Sequence, residues 1–420
     1  MFQQTPYSLL SILLLSLSLS ITSYATDQAL LIGVSQYADS KIRPLSGVKQ
    51  DLTKMRQFAY GLGINKITTL SDQQATVNGL TQALAQLITT TNPGDSILLY
   101  FSGHGTQIQD DNGDEADGLD EVWLLYDTRL GQDQKLHNSW RDDALDHALS
   151  VLPGRKIMVI VDSCSSGDSS KGINSAAESR LFPMPIVSAP TSEIQGKGIG
   201  GIAVDPSLNH ILLTASLPYQ TAYSHHINGG YFTTSLYSIW QEAERPMDWH
   251  SLHQAIVLRM RNTMPPSHLH IPQLQGPDYL LHNLILPTPV KQLHHWVAKT
   301  DWRHLEINTS QQKYRFGEWL HWSVFLPYPG YVLILAVGPE QRLDQLYPPN
   351  WDNNSIVQPA GTWLFPAQDN PMQLPAGPPA GTNHLAIFVH SQQPLTLDYL
   401  QHHGIPQNTW SGITQVEVYE

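Results

Sequence analysis

The chain has 420 residues, of which 41% are hydrophobic and 14% charged, and a formal net charge of −13. That length suggests two to three domains, and the apolar content suffices for a real core, which excludes a charge-rich disordered chain. The acidic balance argues against nucleic acid as a partner, since phosphates demand a basic face, and leaves a cationic substrate open.

Residues 9–21 (LLSILLLSLSLSI) form an apolar run broken only by serines, and residues 23–25 (SYA) put small side chains at the −3 and −1 positions of a cleavage site. The run is short for a bilayer span and reads as the core of a signal peptide over residues 1–25, so the mature protein is expected to be exported, periplasmic or secreted. No Lys or Arg precedes Lys41, and an uncleaved N-terminal membrane anchor is the alternative reading. No later segment is long and apolar enough to cross a membrane.

From residue 26 to residue 287 strand and helix patterns alternate. ALLIGV (residues 29–34) is a continuous apolar run, suited to a strand buried on both faces. Val48, Leu52, Met55, Ala59 and Leu62 then recur at helical spacing, with glycines at 61 and 63 to stop the helix. KITTLSD is a second strand, and Leu80, Leu84, Leu87 and Ile88 line one face of a second helix. SILLYF and KIMVIVD are further strands, separated by an acidic, irregular excursion (residues 110–127) and the helix DDALDHALSVL. HILLTAS is another strand, and FTTSLYSIWQEA and SLHQAIVLRMRN are the last helices. The alternation predicts an α/β domain, a mainly parallel sheet flanked by helices on both faces. Residues 165–205 read as one long loop rich in Ser, Gly and Pro, a length that marks a functional or disordered segment. Residues 288–304 read as a linker, and residues 305–420, with strand-like WLHWSVFL, GYVLILAV and NHLAIFV between turn signals, as a small β-rich domain.

Two stretches carry chemistry. YFSGHG ends one strand with His104 between glycines, and VDSCSSG ends another with Cys164, the chain's single cysteine. A lone cysteine in an exported chain has no internal disulfide to make. In open parallel sheets, sites form beyond the carboxyl ends of the strands, so neighbouring strands would bring both loops to one edge. Thiolate is the nucleophilic form of cysteine, and a nearby imidazole promotes it. The N–H groups of Gly105 and Cys164 are candidate oxyanion donors.

SGHG and DSCSSG, together with ALLIGVSQY, PLSGVKQDL, GDEADGLDEVWLLYD, ILLTAS and GGYFTTSL, resemble the caspase-like cysteine peptidases, on their metacaspase and bacterial orthocaspase branch. GEWLHWSV, GYVLILAV and LYPPN resemble a β-rich domain of unknown function often found downstream of such peptidases. The resemblance implies a cysteine endopeptidase with catalytic His104 and Cys164, acting on proteins or peptides with Arg or Lys before the cut bond. It implies a substrate pocket lined by Asp51, Ser102 and Asp162; two carboxylates around a guanidinium make a strong, directional pairing. It also raises self-cleavage in loop 165–205, after Lys171, Arg180 or Lys197. His/Cys chemistry needs no cofactor. Some relatives use calcium, and Asp142-Asp143 match a calcium-binding pair among them, whereas a further family aspartate falls on Lys171; no metal site is assigned. The contrasting reading is a catalytically silent or weak scaffold whose C-terminal domain binds an envelope partner.

Overall fold

The computed structural model describes residues 27–110, 118–164, 177–184, 209–217, 220–285, 287–300, 303–349, 356–366 and 374–420. The segment read as a signal peptide lies outside these residues, as do Lys171 and Lys197.

Strand β1 (Gln28–Gly33), helix α1 (Val48–Gly61), β2 (Lys66–Ser71), α2 (Val77–Thr90) and β3 (Ser96–Ser102) open the domain. A three-stranded antiparallel sheet follows, β4 (Gly105–Gln109), β5 (Leu119–Leu130) and β6 (Leu136–Arg141). Then come α3 (Asp142–Ser150), β7 (Lys156–Asp162), the short β8 (Ala177–Ser179), β9 (His210–Thr214), β10 (Tyr223–His225) and β11 (Gly229–Gly230). Helix α4 (Tyr231–Glu242), β12 (Met247–Asp248), α5 (Trp249–Thr263), β13 (Gln273–Gln275) and α6 (Asp278–Leu281) complete it. The central sheet runs β13-β9-β7-β3-β1-β2, parallel except for the edge strand β13.

The apolar strands are buried on both faces because side chains alternate across a sheet. Ala29, Leu31, Leu98, Tyr100 and Ile160 pack with α1, α4 and α5. Leu30, Ile32, Ile97, Leu99, Phe101, Val159 and Val161 face the other way, toward α2 and α3. The three-layer α/β architecture expected from the pattern is therefore present. EVWLLYD, the stretch of the acidic excursion that reads as a strand, lies in the twelve-residue β5, and its Trp123 stacks on Phe101 at 4.4 Å.

Residues 288–304, read as a linker, carry a helix, α7 (Pro289–Ala298), with a proline in its first turn. Its Leu293, Trp296 and Val297 join the C-terminal core, beside Leu333, Leu335 and Phe388. The C-terminal region is β-rich, as expected. Its larger sheet, built on Gly330–Val337, Gly381–His390 and Trp410–Tyr419, packs one face on a three-stranded sheet and the other on α7 and α8 (Leu397–His403). No helix among the described residues is long and apolar enough to cross a membrane.

Candidate active site

β3 and β7 are hydrogen-bonded neighbours, with Ser102 directly opposite Asp162. His104 and Cys164 each stand two residues past that pair, so both loops leave the same edge of the sheet. Both residues are buried, His104 at 0% and Cys164 at 2% exposure.

The His104 ring is held from two sides. Tyr37 packs against it at 5.4 Å and its hydroxyl accepts the His104 N–H at 2.8 Å. Nε2 lies 3.0 Å from the Arg43 carbonyl oxygen. A carbonyl only accepts, so Nε2 carries the proton and Nδ1 keeps its lone pair. Nδ1 has no hydrogen-bond partner among the described residues. The Cys164 sulfur receives the Ala222 N–H at 3.0 Å and lies 3.4 Å from the Ala222 carbonyl oxygen. No hydrogen bond joins it to His104. Burial pulls the imidazole down to about 4, against the nearby main-chain groups of Arg180 and Arg43, which raise it. Burial pushes the thiol up to about 12, against the Ala222 hydrogen bond. The pair is therefore neutral as it stands.

Asp51, Ser102 and Asp162 do converge, each at 0% exposure. At their centre sits a residue of the same chain. The Arg180 guanidinium donates from Nη2 to Asp51 Oδ2 at 2.5 Å, and from Nη1 to Ser102 Oγ at 2.7 Å and to the Asp162 carbonyl oxygen. Its Nε lies 3.4 Å from Asp162 Oδ1. Neighbours fix both carboxylates. Asp51 Oδ1 accepts the Gly230 N–H at 2.9 Å and Oδ2 accepts the Ser102 hydroxyl at 3.0 Å. Asp162 Oδ2 accepts the N–H and hydroxyl of Thr233, in the first turn of α4, where the helix dipole favours negative charge. β11 must be glycine, because a Cβ at Gly229 would lie 2.0 Å from Asp51 Oδ1 and one at Gly230 1.9 Å from Asp162 Oδ2. Burial raises Asp51 to about 6, with Arg180 pulling it down and Asp162 pushing it up. Burial alone would pull Arg180 down, but Asp162 and Asp51 outweigh it and hold the guanidinium charged.

The main chain around Arg180 is gripped as an added strand. β8 pairs antiparallel with β10, the Arg180 N–H donates to Ala222 O at 3.0 Å, and Arg43 Nη2 donates to Ser179 O at 2.7 Å. Glu178 accepts the Ser46 N–H at 2.8 Å and hydroxyl at 3.0 Å. On the other side the Gly105 N–H donates to the Arg180 carbonyl oxygen at 3.1 Å, and the Phe182 N–H donates to Gly105 O at 3.1 Å. The first expected oxyanion donor thus already touches a carbonyl. The Cys164 N–H makes no hydrogen bond to that carbonyl. Gly105 has no room for a side chain: a Cβ there would lie 2.0 Å from the Cys164 carbonyl oxygen.

Tyr37 and the Arg43 carbonyl had no role in the sequence reading. Tyr37 ends the ALLIGVSQY stretch, which is the one signal that could have found it; a main-chain acceptor leaves no signal in residue types. Asp142 and Asp143 open α3, with Asp120 and Glu121 of β5 beside Asp142. Asp120 is held by Arg141 at 2.9 Å, Asp142 is hydrogen-bonded by Glu121, and the third family aspartate is Lys171, so this donor set does not fit a calcium ion.

Residues 26–280 match the family model described as the caspase domain, and residues 313–394 match a domain of unknown function, DUF4384. Metacaspase-2 of Arabidopsis thaliana is 35% identical over 158 residues, 34% of this chain and 35% of that protein. Metacaspase-1B of Aspergillus fumigatus is 33% identical over 33% of this chain and 35% of its own length, and Metacaspase-1 of Mycosarcoma maydis 30% identical over 46% and 48%. The chain spans about a third to a half of the length of these curated relatives. A solved caspase-1 from Spodoptera frugiperda superposes on 62% of this chain and 89% of its own at 12% identity with a TM-score of 0.42, too distant to add to the family match. With the caspase-domain model covering more than half of its length, the chain belongs to the caspase-domain family of cysteine peptidases, and metacaspases are among the proteins it is similar to.

Proposed function

We propose that the protein is a cysteine endopeptidase that cuts after arginine, and that the bond between its own Arg180 and Leu181 is its first substrate. The observation that carries this reading is the fully buried Arg180, its guanidinium between Asp51, Asp162 and Ser102 and its carbonyl on the Gly105 N–H. Lysine fits the same pocket less well. Its single ammonium cannot reach Asp51, Ser102 and the Asp162 carbonyl as the planar fork does. Of the three residues considered for self-cleavage, Arg180 is the one among the described residues.

In the step that follows, Cys164 Sγ bonds to the Arg180 carbonyl carbon and its proton passes to Nδ1 of His104. The negative charge on the carbonyl oxygen is met by the Gly105 N–H. His104 then returns the proton to the Leu181 nitrogen as the Arg180–Leu181 bond breaks, leaving a thioester on Cys164. Water, deprotonated by His104, hydrolyses that thioester and restores the thiol. Because the thiol lies at about 12 and the imidazole at about 4 in the closed state, a preformed thiolate–imidazolium pair is strongly disfavoured.

The test is purification of wild type, Cys164→Ala and Arg180→Ala, followed by electrophoresis and N-terminal sequencing. Two fragments are expected for wild type alone, the second beginning at Leu181. An intact wild-type chain under conditions where an arginyl chloromethylketone labels Cys164 would sink the self-substrate reading; no labelling as well would favour the silent scaffold.

A further inference from the structure

The grip on Arg180 continues past the bond that the proposed function has the enzyme cut. Leu181 forms a parallel bridge with Gly105, and Phe182 donates its N–H to the same glycine. The Phe182 side chain is 6% exposed although it belongs to no helix or strand. It sits in a small apolar cluster of its own with Ile42, Val122 and Leu124, separate from the two cores of the central sheet. The geometry of β5 explains the hollow. Val122 and Leu124 project from one face of the strand, while Trp123 between them turns inward onto Phe101. Ile42, ahead of α1, closes the side. The side chains of this cluster are all apolar, whereas the pocket one step before the cut bond is lined by two carboxylates.

We infer that this hollow is a second specificity subsite, taking a large apolar side chain two residues after the cut bond, so that the preferred substrates read arginine, any residue, then an aromatic or bulky aliphatic residue. The inference rests on the reading of Arg180–Leu181 as a cut bond. Burying a phenylalanine ring in an apolar site changes binding about ten- to a hundredfold relative to alanine. The subsite therefore acts on the leaving fragment and discriminates among arginine-containing sequences that the acidic pocket alone treats alike.

The test uses the full-length chain and two readouts. The first is the rate of the cut between Arg180 and Leu181 in wild type, Phe182→Leu, Phe182→Ala and Phe182→Asp. The second is kcat/KM of the processed chain on quenched peptides of the form Glu-Ser-Arg-Leu-Xaa-Pro, with Phe, Leu, Ala or Asp at Xaa. Leu should retain most of the rate, Ala should lose about ten- to a hundredfold, and Asp should lose more, in both assays. Equal rates for Phe, Ala and Asp, with cutting still confined to the bond after arginine, would overturn the subsite while leaving the cut bond standing. A wild-type chain never cut at that bond would remove both. A Phe182 that serves only the fold would alter the stability of the chain and leave turnover of the free peptides unmoved.

Discussion

Two groups of buried carboxylates lie in the same domain and are neutralised in different ways. Asp51 and Asp162, each fully buried, share one guanidinium. Asp142, 3% exposed at the start of α3, has no cation partner among the described residues; burial raises it to about 7, and it meets Glu121 through a hydrogen bond. A buried carboxylate needs either a countercharge or a proton. The first group is built for a cation, with main-chain N–H groups and a helix start holding both carboxylates in place. The second takes a proton. The difference separates an acidic site occupied by a guanidinium from one without such a partner among the described residues.

The largest expected effect comes from spoiling the first group. Asp162→Asn or Asp51→Asn removes one partner of a buried ion pair, a loss of about 3–5 kcal/mol in comparable cases, and should lower kcat/KM on arginyl peptides about a hundred- to a thousandfold. In wild type, KM for such peptides should rise toward the acid end of the range, because burial raises the Asp51 carboxyl and its protonation removes a partner that an arginine side chain needs. Amidase assays between pH 5 and 8 measure both; a flat KM, or a variant of undiminished activity, would place the arginine pocket elsewhere.

A second effect follows from removing the cation rather than the carboxylates. In the uncut chain the Cys164 thiol is held up at about 12 by burial. Once the segment is cut and leaves, the thiol should relax toward its ordinary value near ~8.5. Alkylation by iodoacetamide at pH 7.5 should then be at least about tenfold faster in the cut chain than in the uncut one. Equal alkylation rates would mean that the segment does not shield the sulfur.

The smallest effect belongs to the second group. Asp142 has a folded-state value above its unfolded one, so the stability it contributes is full below about pH 4 and is lost as pH rises through about 7. Asp142→Asn removes that loss. The variant should gain about 1–3 kcal/mol on wild type between pH 5 and pH 8, read as a widening gap between urea midpoints. A gap independent of pH would show that the carboxyl is ionised in the fold at both.

Much of this site was legible in residue types. The two strand-end motifs predicted that β3 and β7 bring His104 and Cys164 to one edge, because apolar runs of that length with flanking glycines fold as buried parallel strands. Asp51, Ser102 and Asp162 came from the family resemblance, and they do converge. The occupant did not come from either source. Arg180 is 129 residues from Asp51 and 78 from Ser102, and nothing local distinguishes it from Lys171 or Lys197 in a polar loop. The helix α7 was missed because residues 288–304 read as a linker, yet proline in a first turn is compatible with a helix, and Leu293, Trp296 and Val297 already carried the spacing. The apolar hollow under Phe182 was equally silent, since it assembles from a strand and a loop about eighty residues apart.

The acceptor that orients the His104 ring is the peptide oxygen of residue 43. Every amino acid brings that oxygen with it. Substitution at position 43 can alter the guanidinium that reaches Ser179 but cannot delete the atom that fixes the imidazole tautomer. Substitution at this position can therefore retune the hold on Ser179 while the orientation of the imidazole, anchored in the backbone, is inherited unchanged.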